Sequence, residues 1–136
     1  MRVRVTGEGP TDLTSREIVG EGGEGKVFVR GSTAYKVYTD PKRMLPVGKI
    51  TELAVLSDPD IVKPERVIVD VSNKTPVGYT MRAIKDAVSL CETFTRAFRE
   101  REGLDHPKML ALVRRLQAMV AHVHGAGILV VDLNEL

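Results

Sequence analysis

The hydrophobic pattern of the chain changes once, near residue 86, from short β-like segments to helical periodicity. Before that point, short segments rich in Val, Ile, Phe and Tyr are separated by glycine-containing turns, which is typical of antiparallel strands. After it, apolar residues recur every three or four positions, which favours helices. A run of strands followed by a run of helices predicts an α+β fold with two parts, residues 1–86 and 87–136.

The first part is predicted to hold a small antiparallel sheet and one helix. The expected strands are 15–19, 26–29, 34–38, 66–71 and 77–81, and the expected helix is 47–56. In the second part, Ser89 and Glu92 have the spacing of a capping box, which predicts a helix of about three turns. Asp105 begins a longer helix that ends near Gly125, and residues 127–131 are expected to form a short buried strand.

Composition excludes several classes of partner. Lys and Arg number 20 against 18 Asp and Glu, and aromatic residues make up 4% of the chain, so neither a nucleic-acid surface nor a base-stacking surface is expected. A single cysteine, Cys91, allows no internal disulfide and no cysteine-rich metal cluster. The sequence contains no apolar run of the length of a signal or a membrane span, which predicts a cytoplasmic protein that binds no membrane.

A glycine-rich motif joins the first two predicted strands: Gly20-Glu21-Gly22-Gly23-Glu24-Gly25-Lys26-Val27. Because glycine has no Cβ, the backbone amides of such a loop can approach phosphate oxygens closely. A dinucleotide-binding fold is excluded because it requires a helix directly after the glycines, whereas here a strand follows. A Walker-type phosphate loop is excluded because the sequence contains neither Gly-Lys-Ser nor Gly-Lys-Thr. A flexible hairpin without a ligand is the alternative interpretation.

The next predicted strand carries Lys36 between apolar neighbours. A half-buried ammonium group requires a carboxylate partner, and Glu52 in the short helix is the natural candidate. By itself Lys36 has the alternative interpretation of a surface lysine.

In this order, the glycine loop, strand lysine and helix glutamate resemble the protein kinase family. The resemblance implies that residues 1–86 are a kinase-like N-terminal lobe that binds ATP, with Lys36 orienting the α and β phosphates and Glu52 holding Lys36. It implies that residues 87–136 are the hinge and the first helices of a truncated C-terminal lobe that ends at the catalytic loop. It also implies that Met81 lies beside the adenine pocket, although an ordinary core methionine is equally consistent with the sequence. The nucleotide-binding residues implied are Gly20, Gly22, Gly25, Val27, Lys36, Glu52 and Met81.

The end of the chain extends the resemblance. Residues 124–134 are similar to the approach to the kinase catalytic loop, and Asp132 matches the catalytic base, with a plain turn residue as the alternative. Val130 and Val131 stand where the family has His and Arg, the Arg being the residue that would pair with an activation-loop phosphate. The metal-ligating Asn of the family would follow Leu136, so Mg²⁺ is expected only in a complete parent domain.

These features predict the ATP-binding segment of a Ser/Thr protein-kinase-like domain, inactive alone, with ATP and a protein substrate as partners. The alternative is a non-catalytic, kinase-like regulator that binds or inhibits a true kinase. A homo-oligomer is also expected, because burying an apolar stripe of this size is strongly favourable. The stripe consists of Met109, Leu112, Val113, Leu116, Met119, Val120 and Val123.

Overall fold

The computed structural model describes residues 1–130, and the predicted catalytic residue Asp132 lies outside them. The chain divides into two compact units between Ile84 and Lys85. Within the described residues the first unit contains a seven-stranded antiparallel sheet and the second is helical, so the predicted α+β class is confirmed. The strands are β1 Arg2–Val5, β2 Pro10–Asp12, β3 Ile18–Gly22, β4 Gly25–Arg30, β5 Thr33–Tyr38, β6 Arg66–Asp70 and β7 Pro76–Arg82; the helices are α1 Val47–Leu53, α2 Leu90–Thr93, α3 Arg96–Glu102 and α4 His106–Gly125.

The strand order across the sheet is β2-β1-β6-β7-β5-β4-β3. Two successive hairpins link β3, β4 and β5, and the second of them turns at Gly31, whose φ of 61° suits glycine. The strands β1 and β2 at the opposite edge were not predicted from the sequence, which indicated a smaller sheet. Their signal was present in the alternation of Arg2-Val3-Arg4-Val5, whose two valines are buried. The predicted strand 15–19 is wrong over Ser15–Glu17, which form a 3₁₀ turn, and β3 begins at Ile18.

The two faces of the sheet bury different clusters of side chains, because successive residues of a strand point to opposite faces. On β5, Val37 belongs to the larger core, whereas its neighbour Tyr38 packs with Ile50 of α1 on the other face. The larger core is composed of Val3, Val5, Leu13, Phe28, Tyr35, Val37, Ile68 and Val77. The helix α1 therefore lies on the Tyr38 face.

Arg30 ties the N-terminal segment to β4. Its Nε donates to Glu17 Oε1 at 2.6 Å, and a terminal nitrogen donates to the carbonyl of Asp12 at 2.7 Å. Glu17 in turn accepts the backbone N–H and the hydroxyl of Thr14 at 2.8 and 2.9 Å. The Arg30 hydrogen bond, followed by those from Thr14, lowers the pKa of Glu17 from 4.5 to about 2.

This contact predicts a pH-dependent contribution to stability. Because the pKa of Glu17 is lower in the folded chain, its stabilisation is fully present above pH 4.5 and is lost as the pH falls towards 2. We expect an NMR titration of the Glu17 carboxyl to give a midpoint near 2 in the wild type. In the Arg30→Gln variant the midpoint should rise towards 4.5. Equal midpoints in the two proteins would show that Arg30 does not hold this carboxylate.

The second unit departs from the prediction at both ends. The three-turn helix expected after Ser89 is divided into α2 and α3, and the Ser89 side chain accepts no backbone N–H, so the predicted capping box does not form. Thr95 starts α3 instead, by accepting the N–H of Phe98 at 3.3 Å. Residues 127–130 form no strand, and Leu129 is 77% exposed, so the predicted buried strand is wrong over the part that is described.

The long helix α4 matches its prediction. Asp105 accepts the backbone N–H of Lys108 at 2.9 Å and begins the helix, which ends at Gly125. Of the apolar stripe, Met109 and Val123 are buried, whereas the side chains of Leu112 and Val113 are exposed. Association with a second copy stays a prediction. No helix among the described residues is both long and apolar enough to cross a lipid bilayer.

Candidate functional site

The glycine-rich motif forms the hairpin between β3 and β4. Gly22 pairs directly with Gly25, and Gly20 pairs with Val27 after an irregularity in the register. A Cβ added at Gly20 or Gly22 would meet no atom within 4 Å, so both positions are open to solvent or to a ligand. The hairpin therefore presents exposed backbone that no side chain covers.

Gly25 has a different role from the other two glycines. A Cβ at this position would lie 2.1 Å from the carbonyl oxygen of Val37 on the neighbouring strand. Gly78 on β7 is equally constrained, since its Cβ would lie 2.0 Å from the carbonyl oxygen of Lys36. Glycine is thus required on both sides of β5 for the strands to approach each other.

Strand register brings three of the predicted site residues to one face of the sheet. Val27 of β4 lies directly opposite Lys36 of β5, and residues directly opposed across two strands share a face. Ala34 lies two positions before Lys36 on the same face, and it is opposed by Met81 of β7. Val27, Lys36 and Met81 therefore lie on three adjacent strands of the face that also carries α1.

Lys36 is partly enclosed, with 26% of its side chain exposed. Its Nζ lies 3.3 Å from Glu24 Oε2 and 4.9 Å from the centroid of the Tyr38 ring. Burial acts to lower the pKa of Lys36, but its hydrogen bonds to Glu24 and Tyr38 outweigh burial and raise the pKa above its ordinary value. The group is therefore a fixed cation at neutral pH.

The predicted pair between Lys36 and Glu52 does not form. Glu52 accepts a hydrogen bond from Lys49 at 2.6 Å, and both side chains are 59% exposed. The reason is the orientation of α1, whose buried residue is Ile50. Glu52 follows Ile50 by two residues, about 200° around the helix axis, and is directed away from the sheet.

Sequence reasoning missed Glu24 and two tyrosines of this site. Tyr38 and Tyr79 lie with ring centroids 6.2 Å apart, and burial, followed by hydrogen bonding with Tyr38, raises the pKa of Tyr79.

The pairing of β4 with β5 could have indicated Glu24 from the sequence. With the second hairpin turning at Gly31, Gly25 falls opposite Tyr38, so Glu24 lies at the end of β5, within reach of a long side chain.

Within residues 1–130, no three His, Cys, Asp or Glu side chains lie close enough together to hold a metal ion. The sequence matches no protein-family model, and no curated protein or solved structure shows significant similarity to it. The candidate site is accordingly defined by the exposed hairpin backbone and the Lys36 cation.

Proposed function

We propose that the first unit, Met1–Ile84, binds ATP as the N-terminal lobe of a Ser/Thr protein-kinase-like domain. In this function the hairpin backbone at Gly20 and Gly22 covers the phosphates and Lys36 pairs with them. Val27 and Met81 contact the base, and Gly25 lets the hairpin lie close to β5. We extend the proposal to a cytoplasmic location, where a single unpaired cysteine is stable.

The observation that carries the proposal is the shared face of Val27, Lys36 and Met81. A nucleotide has an apolar base and an anionic end, so its site needs apolar side chains beside a cation and phosphate-accessible amides. Half-buried Val27 and Met81 supply the apolar side chains, and Lys36 supplies the cation, beside hairpin glycines whose missing Cβ atoms leave room for a phosphate. The order of these parts along the chain is that of the kinase glycine loop and strand lysine.

The proposal is tested by Gly22→Ala. Because a Cβ at Gly22 meets nothing in the free protein, the variant should be at least as stable as the wild type towards denaturant. The added methyl group would obstruct a phosphate, and the loss of one net hydrogen bond, about 0.7 kcal/mol, should weaken ATP binding about threefold in calorimetry.

The matched control is Gly9→Ala, which also places a methyl group in open space. Gly9 directly precedes β2, at the edge of the sheet opposite β3, so ATP binding should be unchanged. Equal ATP affinities of the two variants would show that the hairpin does not contact ATP. Absence of ATP binding by the wild type would reject the function.

One observation favours a second function, that of a non-catalytic kinase-like regulator. Phosphoryl transfer in protein kinases depends on an ion pair between the strand lysine and the helix glutamate. Here Lys36 is paired with Glu24, and Glu52 with Lys49. The two functions share ATP binding and differ in whether phosphate is transferred or a partner kinase is bound.

A further inference from the structure

Glu24 is held in place by its backbone, whereas its side chain is largely exposed. Its carbonyl oxygen accepts the backbone N–H of Thr39 at 3.0 Å, which fixes the tip of the hairpin to the end of β5. Its side chain is 59% exposed and reaches Lys36 at 3.3 Å. This separation exceeds the 2.7–2.9 Å typical of strong charged hydrogen bonds, so a competing anion can displace the carboxylate from Lys36 at the modest cost of breaking a partly exposed ion pair.

The second glutamate of the hairpin has a different partner. Glu21 pairs with Lys26 at 3.0 Å, and the two residues lie directly opposite each other across β3 and β4. Lys26 lies opposite Val37, on the face of the sheet that does not carry Lys36. Glu21 and Glu24 thus carry the same charge on the same hairpin, but only Glu24 contacts Lys36.

We infer that the Glu24 carboxylate occupies the anion position of Lys36 in the free protein and must be displaced by the phosphates of a polyphosphate ligand. The inference rests on the proposed function, which places phosphates at Lys36. A phosphate that approached Lys36 with Glu24 in place would bring two anions within a few ångströms of each other, which is unfavourable. Glu24 is therefore a built-in competitor that weakens binding and favours ligands of high negative charge.

The test compares Glu24→Gln with Glu21→Gln, which remove the same charge from the same hairpin. Binding of ATP and, separately, of inorganic tripolyphosphate is measured by calorimetry. Glu24→Gln should bind both anions about fivefold more tightly than the wild type, because the ion pair no longer has to be broken. Glu21→Gln should give a smaller gain, since Glu21 is paired with Lys26 and does not occupy the anion position of Lys36.

The Lys36→Ala background separates competition from simple repulsion. Without the ammonium group there is no ion pair to break, so Glu24→Gln should then give no larger gain than Glu21→Gln. An equal gain of Glu24→Gln with and without Lys36 would overturn the inference. Equal effects of the two glutamine variants, in a protein whose ATP binding depends on Lys36, would overturn it while leaving the proposed function intact.

The two anions distinguish failure of the inference from failure of the function. If Glu24→Gln tightens binding of tripolyphosphate and the protein shows no preference for ATP over it, displacement is supported and nucleotide binding is rejected. If Glu24→Gln binds neither anion, both are rejected, because a freed Lys36 would then attract no phosphate.

Discussion

Replacing Lys36 by alanine is expected to weaken ATP binding about tenfold or more, the equivalent of one charge-assisted hydrogen bond of about 1.5–3 kcal/mol. Lys36 is the cation on the face shared by Val27 and Met81, and its raised pKa keeps it charged at neutral pH. The partner that it leaves behind, Glu24, is 59% exposed and can be hydrated, so the variant should fold normally.

The control for this experiment is Lys26→Ala. Lys26 lies on the adjacent strand β4, is also paired with a hairpin glutamate, and belongs to the opposite face of the sheet. Its replacement changes the net charge by the same amount and should weaken ATP binding less than Lys36→Ala does, because Lys26 faces away from Val27 and Met81. Calorimetry measures the affinity of both variants for ATP. Equal losses of affinity would show that binding depends on the net charge of the hairpin and not on Lys36 itself.

Replacing Gly25 by alanine is expected to lower the free energy of unfolding by about 2–3 kcal/mol, as an overpacked position does. The new Cβ would lie 2.1 Å from the carbonyl oxygen of Val37 and 2.9 Å from the Cα of Tyr38. Both are backbone atoms that cannot rotate away, so β4 must separate from β5. Chemical denaturation followed by circular dichroism measures the loss.

Gly22→Ala is the internal reference for this second prediction, because Gly22 and Gly25 are direct cross-strand partners. The same methyl group at Gly22 meets no atom within 4 Å and should not lower stability. If Gly25→Ala were as stable as Gly22→Ala, close strand approach would not explain the glycine at position 25.

Several elements of the candidate site could be predicted from the sequence because their signals are local. The β-rich segments on both sides of Gly20–Gly25 predicted the hairpin, and the next apolar segment predicted the strand of Lys36. The cap at Asp105 and the apolar periodicity predicted α4. In contrast, the interruption at Thr95 depends on a competing N-terminal cap, which the continuous apolar pattern across α2 and α3 conceals.

The sequence by itself determined the central strands, the helices α1 and α4 and which side chains alternate across a strand, since these follow from the local period of apolar residues and from turn chemistry. Only the tertiary structure decided the partner of Lys36. Glu52 has the right charge and lies on the expected helix, but burial of Ile50 against the sheet fixes the rotation of α1 and directs Glu52 to solvent. Register brings Glu24 to the end of β5 instead, because the hairpin between β4 and β5 fixes which of their residues face each other.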